Sequence, residues 1–286
     1  MSLHVDLLNR LPAETFVRAV EWHDEIGSTS DRAIELATAA KQELPLLVIA
    51  GQQTAGRGRG ANRWWAAPGA LTFSLVLEGT TLGVSADRWP RLSLATALVV
   101  GEVIRQLAPK ADVQLKWPND VYIAGRKVCG ILLEAPASAP DRIVLGLGLN
   151  VNNSLAAAPP EIRDTAIALC DVIGDRPNFY LSSSDIILQS KNGTVPLGTE
   201  QPLDLYDVLC RLLIGMDQEL KLLSRDNLRL AERWQPYCLL EGRTVTLRQG
   251  REEITGICES IDSDGALLLR TAAGTGRFIS GTVADF

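Results

Sequence analysis

The segment Gly56-Arg57-Gly58-Arg59-Gly60 alternates residues that let a backbone approach a ligand closely with residues of fixed positive charge. That combination suits a polyphosphate. Its spacing is not the G-x-x-x-x-G-K-[ST] of a P-loop, and the following Trp64-Trp65-Ala66-Ala67-Pro68 is a poor opening for the helix a dinucleotide fingerprint needs. The ordinary alternative is a solvated surface loop with weak affinity for anions. Two adjacent indoles count against it, because they suit a segment that folds over an apolar ligand and keeps water out.

Lys116-Trp117-Pro118-Asn119-Asp120 gathers a cation, an amide and a carboxylate at a proline turn. Read plainly it is an Asn-Asp turn, a common event. If residues 120–126 form a hairpin, Lys127 reaches back toward the same place, where its ammonium can neutralise a carboxylate or phosphate; otherwise it is an exposed strand charge. In Gly146-Leu147-Gly148-Leu149-Asn150-Val151-Asn152, glycines inside a strand mark close approach of a ligand or another backbone, and the asparagines can donate to phosphate or ribose oxygens. A bulged strand leading into an Asn turn accounts for that segment equally well.

Other chemistries are harder to assemble. The chain has only 2 histidines, His4 and His23, which leaves little for a histidine triad or a histidine metal site. Its 5 cysteines (Cys129, Cys170, Cys210, Cys238, Cys258) are odd in number and spread out, with no C-x-x-C pair, and read as reduced core fillers. No metal site built from protein ligands alone is expected.

The elements that must position these groups follow from periodicity. Ser28 begins a Ser-x-x-Asp pattern ahead of Ala33, Ile34, Leu36 and Ala37, a capped helix start that predicts a loop presenting Ser28, Thr29 and Ser30. Residues 46–50 and 71–77 read as buried strands, with a glycine- and arginine-rich loop over 51–69 between them. Residues 92–107 have the spacing of an amphipathic helix, and 113–117, 128–134 and 142–147 that of strands. Strands predominate with helices interspersed, which favours an α+β mixed sheet over strict βαβ winding. Residues 177–201 form an irregular excursion, and 203–230 resume helical periodicity. Short alternating runs at 244–247, 254–261, 266–269 and 277–279, with turns at 249–250, 264–265 and 274–276, suggest a small terminal barrel.

A length of 286 residues allows one large core plus a small second domain, here 1–237 and 238–286. A net charge of -6 argues against a general nucleic-acid binder. The beginning of the chain lacks the pattern of a signal peptide, and no run of roughly 18 apolar residues is present, so no membrane span is expected and the cytoplasm is the default compartment.

The ordered set of Ser28-Thr29, Gln53 with Gly56-Arg57-Gly58-Arg59, Lys116-Trp117-Pro118-Asn119-Asp120, Lys127 with Gly130-Ile131-Leu132, and Gly148-Leu149-Asn150 resembles the biotin protein ligase family over residues 20–170. The resemblance implies the class II synthetase-like catalytic fold of biotin and lipoate ligases with a C-terminal SH3-like β-barrel. It also implies an enzyme that forms biotinyl-5′-AMP from biotin and ATP, with Mg²⁺, and transfers biotin to a lysine. The implied partner is the biotin carboxyl carrier protein of acetyl-CoA carboxylase or a related carboxylase, and the implied assembly a monomer or homodimer.

By the same resemblance, Ser28, Thr29, Ser30 and Gln53 line the biotin pocket, with backbone contacts from Gly130 and Ile131. The loop from Gly56 through Arg57, Gly58 and Arg59 to Trp64 closes over the adenylate. Lys127 meets the carboxylate or phosphate side, Asn119 and Asn150 serve the nucleotide and Mg²⁺-phosphate region, Lys116 and Gly148 are further ligand-binding residues, and Asp120 faces the acceptor lysine. Ser30 stands where an asparagine often follows the Ser-Thr pair, and Ala61 and Ala66 replace a more usual glycine and serine.

A lipoate or octanoate ligase is the nearest alternative, separated by the Gly-Arg repeat, the Lys-Trp-Pro-Asn-Asp segment and the terminal β unit. A catalytically inactive biotin-binding relative is another. A DNA-binding repressor is disfavoured, because the roughly 20 residues before the catalytic region are too few for a three-helix reader.

Overall fold

The computed structural model describes residues 10–39, 42–173, 202–227 and 229–286. The expected excursion at 177–201 lies outside them.

Strands β1 (Ala19–Ile26), β2 (Leu46–Gln53), β3 (Leu71–Glu78), β4 (Val113–Lys116), β5 (Asp120–Ile123), β6 (Arg126–Glu134) and β7 (Arg142–Leu149) form one sheet in the order β1-β2-β3-β7-β6-β5-β4. Only β1 and β2 pair in parallel; every other neighbour is antiparallel. The apolar runs in β2, β3 and β7 are continuous because both faces are covered, with side chains alternating between them. Leu46, Val48, Val76 and Val144 pack under helix α1 (Thr29–Thr38), against Ala33, Leu36 and Ala37. Leu47, Ile49, Phe73, Leu75, Leu145 and Leu147 face the main core, which includes helices α2 (Trp89–Leu107) and α3 (Leu205–Ser224).

Periodicity over 203–230 does not carry one helix. The chain leaves α3 after Ser224, turns through Asp226 and Arg229 with φ of 55 and 50, and restarts as α4 (Leu230–Trp234). Apolar spacing continues across that turn because both pieces face the same core, so pattern alone missed the break.

Strands β8 (Thr244–Gln249), β9 (Glu252–Ile261), β10 (Leu267–Thr271), β11 (Gly274–Phe278) and β12 (Thr282–Asp285) form an antiparallel sheet in the order β11-β10-β9-β8-β12. The glycines at 274–276, expected as a turn, belong to β11, and Gly274 pairs with Thr271. The turn sits at Ala272 and Ala273 instead.

The C-terminal sheet docks against α2 and the end of β4 through its connecting segments. Buried Trp117 donates its indole N–H to the Gly265 carbonyl at 3.0 Å, Arg91 pairs with Asp264 at 2.6 Å, and the Leu239 amide donates to the Leu115 carbonyl at 2.9 Å.

Candidate active site

Residues from seven strands (β2–β7 and β12), the first turn of α1, the Gly-Arg loop and the helical turn Pro160–Arg163 surround a cavity of about 510 Å³. That lies within the roughly 300–1,000 Å³ typical of small-ligand sites.

One wall is a buried chain of hydroxyls. Ser28 caps α1, accepting from the Asp31 amide, so Thr29 and Ser30 are the first helical residues rather than parts of a loop. The Thr29 amide and hydroxyl donate to Gln53 Oε1 at 2.7 and 3.1 Å. Thr29 and Ser30 also share the Ser74 hydroxyl at 2.9 and 3.1 Å. Ser74, on β3 and fully buried, was not singled out from sequence. The available signal was a hydroxyl inside an apolar run, since buried polar groups need partners.

The opposite wall carries charge. The β5–β6 hairpin turns at Ala124 and Gly125 and brings Lys127 Nζ to 2.7 Å from Asp120 Oδ1. Lys116 sits over the Phe286 ring at 4.1 Å and the Tyr122 ring at 5.9 Å. Burial lowers its pKa, and the nearby Asp120 charge opposes that shift. Asn119 lines the cavity while donating its side-chain amide to the Ile131 carbonyl at 2.6 Å.

The Gly-Arg loop is a tight hairpin. The Gly58 amide donates to the Asn62 carbonyl at 2.9 Å and the Trp64 amide to the Gly56 carbonyl at 3.0 Å. Arg59, near its tip, donates to the Gly281 carbonyl just before β12. Burial pulls the Arg59 pKa down and Asp120 opposes it, yet a guanidinium stays charged in proteins. Arg57 is held otherwise, by Glu134 and Asp31. The Trp64 ring lies on the glycines of β6 and β7, where a Cβ on Gly148 would stand 2.6 Å from its Nε1. That Nε1 is buried with no hydrogen-bond partner.

Thr29, Ser30, Gln53, Arg57, Gly58, Arg59, Trp64, Lys116, Asn119, Asp120, Lys127, Gly130, Ile131 and Gly148 are thus brought together around one cavity. Ser28, Gly56 and Asn150 are not in its lining. Ser28 is taken up by the helix cap, and Gly56 supports the hairpin with its carbonyl. Asn150 is buried, donating to the Ile167 carbonyl at 3.2 Å and accepting from Asn153 at 3.1 Å. Tyr122, Glu161, Ile162, Thr282 and Val283 also line the cavity and were missed. The last two come from β12, and nothing local in the sequence announces a neighbour so distant along the chain.

Among the described residues no three His, Cys, Asp or Glu side chains cluster as a metal site. The cavity carboxylates are Asp120 and Glu161. Such a set fits a divalent ion that arrives on substrate phosphates and keeps much of its water, rather than one held in a protein cage.

Residues 23–150 match the Biotin/lipoate A/B protein ligase family and residues 242–284 the Biotin protein ligase C terminal domain. The chain is 31% identical over 248 residues to the Biotin--[acetyl-CoA-carboxylase] ligase of Mycobacterium tuberculosis, covering 86% of this chain and 80% of the relative. It is 30% identical over 250 residues to the enzyme of that name from Paracoccus denitrificans, covering 86% and 92%. Among solved structures, the biotin protein ligase from Aquifex aeolicus in complex with biotin and ATP is similar with a TM-score of 0.72 and 26% identity, covering 92% of this chain and 97% of that one.

Proposed function

The chain belongs to the biotin protein ligase family, whose chemistry is ATP-dependent ligation of biotin, and from that premise we propose the division of labour among its residues. The observation that carries the reading is the convergence of the Gly-Arg loop, the Asp120–Lys127 pair and the Thr29–Gln53–Ser74 hydroxyl chain on one cavity. Residues 1–237 are taken as the catalytic domain and 238–286 as the C-terminal domain.

Biotin lies with its ureido ring against Thr29, Ser30 and Gln53 and its carboxylate toward Lys127. A carboxylate oxygen attacks the α-phosphorus of MgATP, the bond to the β-phosphate oxygen breaks, and pyrophosphate leaves. Displacement of this kind needs alignment and charge neutralisation more than proton transfer. Lys116, Lys127 and Arg59 supply the charge, so the scarcity of histidine is no obstacle. Asn119 and Gly148 lie on the nucleotide side, and Asn150 braces that side from behind through its backbone contacts.

In the second half, the amine of an acceptor lysine attacks the acyl carbon, the bond to the phosphate oxygen breaks, and AMP leaves. Asp120 orients that amine and takes its proton. The acceptor is a biotin-carrying domain of a carboxylase. Among the described residues no helix is long and apolar enough to cross a membrane.

Selectivity separates biotin from a lipoyl-type acid. Pyrophosphate release from MgATP is expected with biotin and not with lipoate; release with lipoate alone overturns the reading. Gly148→Ala is expected to push Trp64 off the strand glycines and raise the KM for ATP on the order of tenfold, in line with overpacking costs of about 1–3 kcal/mol. An unchanged KM in steady-state assays contradicts the placement of that ring beside the ligand.

A further inference from the structure

The two arginines of the Gly-Arg loop are held in different ways. Arg57 Nη1 and Nη2 donate to Glu134 Oε2 and Oε1 at 2.9 and 2.5 Å, a forked pair, and Nη1 also donates to Asp31 Oδ1 at 3.0 Å. Its side chain is 35% exposed and that of Glu134 24%. Two carboxylates around one guanidinium leave the spot net negative, so a phosphate there meets repulsion and must also displace a bidentate pair.

The partners sit where a tether is needed. Glu134 ends β6, the strand that carries Lys127, Gly130 and Ile131, and Asp31 lies in the first turn of α1, which carries Thr29 and Ser30. Arg57 also faces Arg63 across the base of the hairpin. The ion pairs therefore join the base of the loop to two of the elements that line the cavity, while Arg59 near the tip faces the segment before β12.

We infer that Glu134 and Asp31 are positioning residues that act through Arg57 to fix the base of the Gly-Arg loop and so set how long the adenylate is retained. The inference rests on the adenylation reading above. It separates Arg57 from Arg59, which are alike in sequence.

The test uses the full chain loaded with biotinyl-adenylate and chased with excess unlabelled ligand. Glu134→Gln and Arg57→Gln are each expected to release adenylate on the order of tenfold faster, the scale set by weakening a charge-assisted pair by about 1.4 kcal/mol. Asp31→Asn gives a smaller increase, as its carboxylate is 58% exposed. The double Arg57→Gln, Glu134→Gln variant is no faster than Arg57→Gln alone, and the exchanged pair Arg57→Glu with Glu134→Arg recovers part of the retention. A merely structural role lowers Tm without this non-additivity or rescue. A second readout needs no ligand: trypsin cuts the loop of Glu134→Gln faster than that of the parent. Parent-like release and cleavage in the single variants, or a double effect equal to the product of the single ones, overturns the inference. If the parent captures no adenylate, the adenylation reading fails, and the cleavage rates alone decide whether the tether exists.

Discussion

Replacing Lys127 by alanine is expected to lower kcat/KM for adenylate formation by about 10²–10³-fold, the usual loss when one preorganised donor to developing charge is removed. The ammonium stands 2.7 Å from Asp120 Oδ1, and the Asp120 side chain is 16% exposed. The substitution therefore removes the cation proposed to face the carboxylate and phosphate of the reactants and leaves Asp120 without its ion-pair partner. Both changes place excess negative charge where two anions must approach one another. Lys127→Arg is expected to recover little, since a planar fork on a longer side chain cannot reproduce the point charge beside Gly130. Biotin-dependent exchange of pyrophosphate into ATP measures this directly. A loss under tenfold removes Lys127 from the adenylation step.

Arg59→Gly is expected to separate synthesis of the adenylate from its retention. Arg59 spans from the loop to the Gly281 carbonyl just before β12, and no other loop side chain makes that contact among the described residues. Without it the mixed anhydride escapes at least about tenfold faster, equivalent to about 1.4 kcal/mol of lost holding energy. Released adenylate acylates any accessible amine, so bystander lysines become labelled in proportion to their exposure. Quantifying biotin on an unrelated lysine-rich protein against a carrier domain checks this. Selectivity and release equal to the parent's contradict the closing role of the loop.

The parts of the site that were legible in the sequence are those whose geometry is local. The hairpin through Ala124 and Gly125 returns Lys127 to the end of the sheet that carries Asp120, although its register partner is Tyr122 and it meets Asp120 diagonally. The cap at Ser28 was legible, although Thr29 and Ser30 open the helix instead of lying in a loop. The mixed sheet followed from the apolar runs of β2, β3 and β7. What was hidden depends on chain-distant contacts. Nothing near Arg57 says that Glu134 will occupy it while Arg59 reaches Gly281. Asn150 was placed with the nucleotide on its motif, yet its amide is engaged by Ile167, a partner visible only after folding. Thr282 and Val283 enter the cavity because Trp117 and Arg91 dock the second sheet against α2 and the end of β4.

A two-step transfer through a bound adenylate is distinguished from a concerted one by the order of product release. The full chain is incubated with biotin and MgATP, pyrophosphate and AMP are followed separately, and a biotin carboxyl carrier domain is added only after the first phase ends. A stoichiometric burst of pyrophosphate with biotinyl-5′-AMP held on the protein is expected, then AMP release together with biotin on the carrier lysine. AMP and pyrophosphate appearing together before any carrier is present, with no bound adenylate, would contradict it.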